Sequence, residues 1–72
     1  MNLLEIQRVQ HYLREKFQLN NLKLQPQQGK EDSVEVYLGD EFIGVIYRDD
    51  EDEDLSYDFH MSILEIDLPP EN

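Results

Sequence analysis

The chain has 72 residues, of which 17 are acidic, 6 are basic and none is cysteine or tryptophan, so its formal charge is −11. This length allows one small domain with a marginal core and little room for a deep active-site cleft. The lack of cysteine excludes disulfide bonds and thiolate metal sites, and it agrees with a reducing compartment.

Charge and hydropathy exclude several classes of partner. No stretch reaches the ~20 apolar residues of a membrane span, and the basic-then-apolar order of a signal peptide is missing, so we expect a soluble, cytoplasmic protein. Residues 1–30 hold five basic and two acidic side chains, whereas residues 31–72 hold one basic and fifteen acidic. Because Lys and Arg hold nucleic-acid phosphates and anionic lipid surfaces, we expect neither nucleic acid nor membrane as a partner.

An amphipathic helix is predicted over residues 3–18. Asn2 and Glu5 have the spacing of a capping box, in which each side chain accepts a hydrogen bond from the other residue's backbone amide. Apolar residues then recur at three- and four-residue steps, namely Ile6, Val9, Leu13 and Phe17. Asn20 and Asn21 favour the left-handed conformation that ends helices. The pattern therefore predicts a helix with one core-facing side.

Strand-like segments follow the helix and predict an antiparallel meander. Leu22–Pro26 alternates between apolar and polar and ends at a proline, which cannot donate to a ladder, so it is assigned to a sheet edge. Residues 34–38 and residues 41–47 flank Gly39-Asp40, a pair that suits a two-residue type II′ turn. If Gly39-Asp40 is the whole loop, Leu38 pairs with Glu41 across the hairpin.

A final half-buried strand is predicted from apolar residues at every second position, namely Leu55, Tyr57, Phe59, Met61 and Ile63. Residues 64–68 continue on the opposite parity, which predicts a bulge, bend or short turn near Ile63. We assign residues 1–68 to a single domain and residues 69–72 to a disordered tail. The predicted fold class is α+β, with an N-terminal helix packed on one face of a small antiparallel β-meander of three to four strands.

The strand over residues 41–47 is apolar on both faces, whereas a sheet with one hydrated face should alternate. The two-residue turn assigns one face to Val34, Val36, Leu38, Ile43, Val45 and Tyr47. It assigns Tyr37, Phe42 and Ile46 to the other. A three-residue loop would exchange the residues of the strand over 41–47 between the faces, and each face would still hold apolar side chains. One helix covers only one face, so the second must be shielded by residues 64–68, by a second copy or by another protein. We therefore predict that Tyr37, Phe42 and Ile46 bind a partner.

Residues 49–54 form an unbroken run of six acidic side chains, which predicts a solvated loop. Hard cations take carboxylate oxygens, so the alternative function is binding of a divalent cation or a basic partner. Its candidate ligands are Asp49, Asp50, Asp52 and Asp54. The EF-hand pattern is not met, because Leu55 stands where that loop requires glycine and Met61 where it requires glutamate.

One group of residues in the predicted final strand resembles a catalytic triad in its residue types. Asp58, His60 and Ser62 share residue types with a Ser-His-Asp triad and occupy alternate positions of one predicted strand. Such positions are ~6.5–7 Å apart at Cα, and no neighbouring turn or helix N-terminus supplies an oxyanion hole. We therefore predict no catalytic residue, no cofactor and no enzymatic activity.

Three segments together resemble a family of small bacterial proteins classed as a domain of unknown function. They are the hairpin Gly39-Asp40-Glu41-Phe42-Ile43-Gly44, the run Asp49-Asp50-Glu51-Asp52, and residues 57–64. The resemblance covers nearly the whole chain and implies a stand-alone cytoplasmic domain with a helix before the strands, without an activity to carry over. The predicted function is a non-catalytic protein–protein interaction module, either a homodimer or the small subunit of a complex.

Overall fold

The computed structural model describes residues 1–51 and 53–71. Its elements in chain order are α1 (Leu3–Phe17), β1 (Leu22–Pro26), β2 (Ser33–Leu38), β3 (Glu41–Asp49), β4 (Ser56–His60) and a short 3₁₀ helix (Glu65–Asp67). In the described part of the chain, the strands form a four-stranded antiparallel sheet in the order β1-β2-β3-β4, and α1 packs on one face of it. The α+β fold class is confirmed.

Local hydrogen bonds set both ends of α1. Glu5 donates its backbone amide to Asn2 Oδ1 over 2.7 Å, and Asn2 donates its own to Glu5 Oε1 over 3.1 Å, so the predicted capping box is present. At the other end Gln18 adopts the left-handed conformation, with φ 56°, and its amide donates to the Arg14 carbonyl. The prediction that Asn20 and Asn21 take this conformation is wrong. The chain already reverses at Gln18, and this brings Leu19 against the core.

The core lies between α1 and the sheet. Among the described residues, the buried apolar side chains are Ile6, Leu13, Leu22, Leu24, Val34, Val36 and Ile46. Val9 is half-buried against them, but Phe17 is 47% exposed, so its predicted core position is wrong. The reversal at Gln18 explains this difference, because Leu19 packs against the core in its place. In the described residues, no helix is long and apolar enough to cross a membrane.

The β2–β3 hairpin begins as predicted. Leu38 pairs with Glu41, and Gly39 has φ +64°, the positive value that the first central position of a type II′ turn requires. Tyr37 then pairs with Phe42, which places both rings on the face opposite α1. The predicted two-residue loop therefore has the right length and register at its closing pair.

A β-bulge then changes which side chains of β3 reach the core. Val36 pairs with Gly44, so Ile43 is an extra residue in the ladder. Since side chains alternate with a period of two, one extra residue exchanges the faces for the rest of the strand. Ile46 consequently lies in the core, 1% exposed, and its predicted place on the second face is wrong. Val45 and Tyr47 lie on the face that the sequence assigned to Ile46.

The last strand is shorter than predicted. β4 ends at His60, and residues 61–64 have no regular structure before the 3₁₀ helix. A Cβ atom added to Gly44 would overlap the His60 carbonyl oxygen and lie 2.7 Å from Phe59 Cε1, so β4 ends directly against the bulge. Because the bulge bends β3 there, the ladder does not continue to Ile63. Residues 69–71 form neither helix nor strand, and Asn72 lies outside the described residues.

Candidate interaction surface

The face of the sheet opposite α1, called here the outer face, carries unburied rings. By strand register it includes Tyr37, Phe42, Val45, Tyr47, Asp58 and His60. The Tyr37 and Phe42 rings meet edge to face with centroids 5.7 Å apart, and Tyr47 and His60 do the same at 5.2 Å. Such pairs fix the ring orientations. Phe42 is nevertheless 50% exposed and Tyr47 45% exposed.

A groove of about 590 Å³ runs beside these rings, a volume in the range of ordinary ligand pockets. Most of its lining is apolar, and the residues that line it are Glu41, Phe42, Ile43, Gly44, Val45, Tyr47, His60, Met61, Ser62, Ile63, Leu64 and Asp67. It therefore lies between β3 and the segment that follows β4.

The C-terminal segment, residues 61–68, lies along the groove without filling it. Ile63, Leu64, Ile66 and Leu68 are each more than half exposed, and Ile66 reaches 88%. Since Phe42 also keeps half of its surface, residues 64–68 do not shield the outer face. Of the three covers considered from the sequence, a second copy and a different protein remain.

One side of the groove is an open strand edge. β4 pairs with residues 45–49 of β3, so Glu41 and Phe42 have a ladder partner in β2 alone, the bulged Ile43 has none, and Gly44 is buried against His60. Among the described residues, no backbone hydrogen bond joins 41–44 to 61–64. An unpaired strand edge presents backbone N–H and C=O groups to any extended segment that reaches it. The groove thus combines apolar side chains with a short open strand edge at residues 41–43.

The groove is acidic at its charged positions. Glu41 and Asp67 line it, and none of the described lining residues is Lys or Arg. The half of the chain that forms the groove, residues 31–72, contains fifteen acidic side chains and a single basic one. The field around the groove therefore attracts cations and repels anions.

A separate polar cluster joins the start of α1 to the end of the sheet. Tyr57 donates its hydroxyl to Glu5 Oε2 over 2.6 Å, and Arg48 Nε lies 3.0 Å from the same oxygen. The Arg48 Nε–H is not directed at that oxygen, so this contact is an ion pair without a hydrogen bond. The hydrogen bond from Tyr57 lowers the pKa of Glu5, helped by the Asn2 amide, and raises the pKa of Tyr57. Arg48 Nη1 also lies 3.4 Å from Asp50.

This cluster was not predicted from the sequence. Tyr57 and Glu5 are 52 residues apart, and no local pattern links them. One sequence signal pointed to such a contact: Tyr57 and Glu5 each carry a polar group at a position whose neighbours predict burial. The cluster attaches α1 to β3 and β4, and we assign it a structural role.

Two of the predicted cation ligands, Asp49 and Asp50, make separate contacts. Asp49 is the last residue of β3 and its Oδ1 accepts the Glu51 amide over 3.1 Å, while Asp50 faces Arg48. In the described part of the chain, no group of three or more His, Asp or Glu side chains is close enough to hold a metal. Asp54 is exposed, and Asp52 lies outside the described residues. Cation binding by this loop stays a prediction.

The catalytic pattern considered from the sequence is only partly brought together. Asp58 and His60 share the outer face, where the His60 ring packs against Tyr47. Ser62 lies beyond the end of β4 and lines the groove. His60 and Ser62 thus contribute to the groove lining, and both belong to the candidate interaction surface.

The fold and the groove define a small α+β domain with an open, apolar and acidic sheet face. Residues 5–67 match the family model described as "Protein of unknown function (DUF3126)". This match spans most of the chain, so the protein belongs to that family, and the resemblance carried by the hairpin and the acidic run is confirmed. The comparison with curated proteins and the comparison with solved structures each gave no significant match.

Proposed function

We propose that the protein is a non-catalytic protein–protein interaction module whose contact surface is the groove and the rings beside it. The observation that carries this proposal is the exposure of Phe42, Tyr47 and Leu64 around one groove. Contiguous apolar surface of this kind marks interaction sites on small proteins. Its position beside an open strand edge adds a second means of contact.

Apolar burial on this surface supplies part of the free energy that binding requires. Burying roughly 400 Å² of apolar area contributes about 10 kcal/mol at ~25 cal/mol per Å², before the cost of association is subtracted. That cost is about 4–15 kcal/mol, so apolar burial alone gives modest affinity. Strand pairing and charge must supply the remainder, and the groove offers both.

The composition of the groove supports a binding role over a catalytic one. Half of its lining residues supply contact area but cannot transfer protons, namely Phe42, Ile43, Val45, Met61, Ile63 and Leu64. Tyr37 and Phe42, two of the three residues singled out from the sequence, lie on this surface as a contacting pair. Ile46 is excluded from it by its burial in the core.

The test is affinity isolation from the source cell with tagged wild-type protein and four variants. Leu64→Ser and Phe42→Ser alter the groove, whereas Ile66→Ser and Phe17→Ser change equally apolar exposed residues outside it. Leu64→Ser and Ile66→Ser change the C-terminal segment, outside the strands and α1, so this pair also controls for loss of folding. We expect at least one protein that the wild type and both controls retain and both groove variants lose. The same set of captured proteins from all five, an empty set included, would contradict the proposal.

A further inference from the structure

The open edge of β3 limits what the groove can bind. Its free part, residues 41–43, extends over at most about 10 Å at ~3.4 Å per residue, which matches an extended segment of three residues. An added strand forms main-chain hydrogen bonds with such an edge and places alternate side chains on the two sheet faces. On the outer face those side chains would meet Phe42, and beyond the edge they would meet Ile63 and Leu64.

Charge selects the composition of that segment. Glu41 lies at the open edge and Asp67 lies across the groove, with no Lys or Arg among the described lining residues. Acidic side chains at a strand edge oppose pairing with neutral or acidic strands and favour basic ones. The bulge at Ile43 also bends the edge, which limits main-chain pairing there to a short segment.

The same charges argue against a second copy as the occupant. A symmetric dimer through this groove would bring Glu41 and Asp67 of one chain toward the same residues of its partner. Each chain carries a formal charge of −11, so association also meets long-range repulsion.

Resting on the proposed function, we propose that the groove binds an extended segment of a different protein, in which apolar and basic side chains alternate. The segment is added as a short strand to residues 41–43 of β3. Main-chain pairing positions the segment, its apolar side chains contact Phe42 and Leu64, and its basic side chains face Glu41 and Asp67.

The first test titrates the ¹⁵N-labelled full chain with the peptide acetyl-Lys-Val-Lys-Val-Lys-Val-amide and follows backbone amide shifts. We expect saturable binding with the largest shifts at residues 41–44 and 61–64. The matched Glu-Val peptide should bind at least about tenfold more weakly, because its charges are repelled. A Lys-Val peptide with alternate backbone amides methylated should also lose binding, since it cannot complete the ladder.

Two results would overturn the inference. Undiminished binding of the methylated peptide would show that strand pairing is not used. Shifts confined to the acidic loop, or no saturable binding, would show that the groove does not take such a segment. Concentration-dependent dimers in sedimentation equilibrium that Phe42→Ser abolishes would identify a second copy as the occupant and contradict it as well.

A charge-matched pair of variants tests the acidic positions. Glu41→Gln with Asp67→Asn should weaken the Lys-Val peptide about fivefold and reduce its salt dependence. Glu15→Gln with Glu31→Gln removes the same number of charges away from the groove and should leave binding within about twofold. Equal losses in both pairs would show only a general effect of net charge and would contradict the assignment to the groove.

The two proposals fail separately. If groove variants lose a cellular partner but the peptide does not bind, the proposed segment is wrong and the interaction surface stands. If groove variants retain every partner, the interaction surface itself is wrong.

Discussion

Tyr57 and Glu5 show how single residues stabilise so small a fold. Their 2.6 Å hydrogen bond joins the first turn of α1 to β4 across 52 residues of sequence, and Arg48 adds its charge from β3. The pKa of Glu5 is consequently lower in the folded chain than its ordinary value of 4.5. The folded state therefore binds that proton more weakly than the unfolded state, and stability depends on pH.

The sign of this dependence follows from the lowered pKa of Glu5. The stabilisation is present above the ordinary value of 4.5 and is lost as the pH falls through the lowered one. Replacing Tyr57 by Phe removes the main cause of the shift. The difference in the free energy of unfolding between wild type and Tyr57→Phe should thus be largest near about pH 7 and shrink below about pH 4.

Urea denaturation followed by circular dichroism at several pH values measures this difference. Tyr12→Phe is the control, because it removes a hydroxyl from the exposed side of α1. It should change stability little at any pH. A Tyr57→Phe deficit that stays constant from neutral pH to pH 3 would disprove the assigned role of Glu5.

The close contact between Gly44 and the end of β4 leaves no room for a side chain at position 44. A Cβ added there would overlap the His60 carbonyl oxygen and approach Phe59. Gly44→Ala should therefore destabilise the protein by about 1–3 kcal/mol or more. Gly29→Ala serves as a comparison, since Gly29 has φ +78° but open space around it and should lose only about 1 kcal/mol. A smaller loss at Gly44 than at Gly29, measured by chemical denaturation, would contradict the close contact.

At the scale of elements, the bulge in β3 decides which face becomes the interaction surface. Two neighbouring residues of β3 test the position of the bulge, because Ile46 is buried in the core and Val45 lies on the outer face. Ile46→Ala should cost about 2–5 kcal/mol and Val45→Ala about 1 kcal/mol or less. An unbulged strand would reverse this order, so thermal or urea denaturation of the two variants distinguishes the registers.

Sequence reasoning succeeded where the determining interactions are local. The capping box needs only Asn2 and Glu5, and the closing pair of the hairpin needs only the two-residue turn. The bulge was missed because the extra residue, Ile43, is an ordinary strand residue. The available signal was Gly44, since an isolated glycine within a strand pattern indicates a bulge or a close backbone approach.

The candidate site was predicted in part for the same reason. Tyr37 and Phe42 precede the bulge, so their common face followed from the turn alone, whereas Ile46 follows it and changed face. The other side of the groove was assigned to a continuing strand up to Ile63 because its apolar residues alternate. That strand ends early at the bulge, where His60 lies against Gly44. The isolated glycine signals a close approach but does not identify the residue that makes it.

At the scale of the whole molecule, shape and charge act together. The Cα radius of gyration is 13.8 Å, above the ~11 Å typical of a compact chain of this length. The molecule is elongated, 46 Å along its longest axis against 24 Å along its shortest, and its C-terminal segment is largely exposed. High net negative charge opposes self-association of a molecule with so much exposed apolar surface.

Site-specific cross-linking in the source cell tests the central claim, that the groove is a protein-binding surface, most directly. The photoreactive residue p-benzoylphenylalanine replaces Phe42 in one variant and Phe17, which is similarly exposed at the far end of α1, in the other. We expect discrete cross-linked products from position 42 that position 17 does not give. Identical products from the two positions, or none from position 42, would contradict the claim.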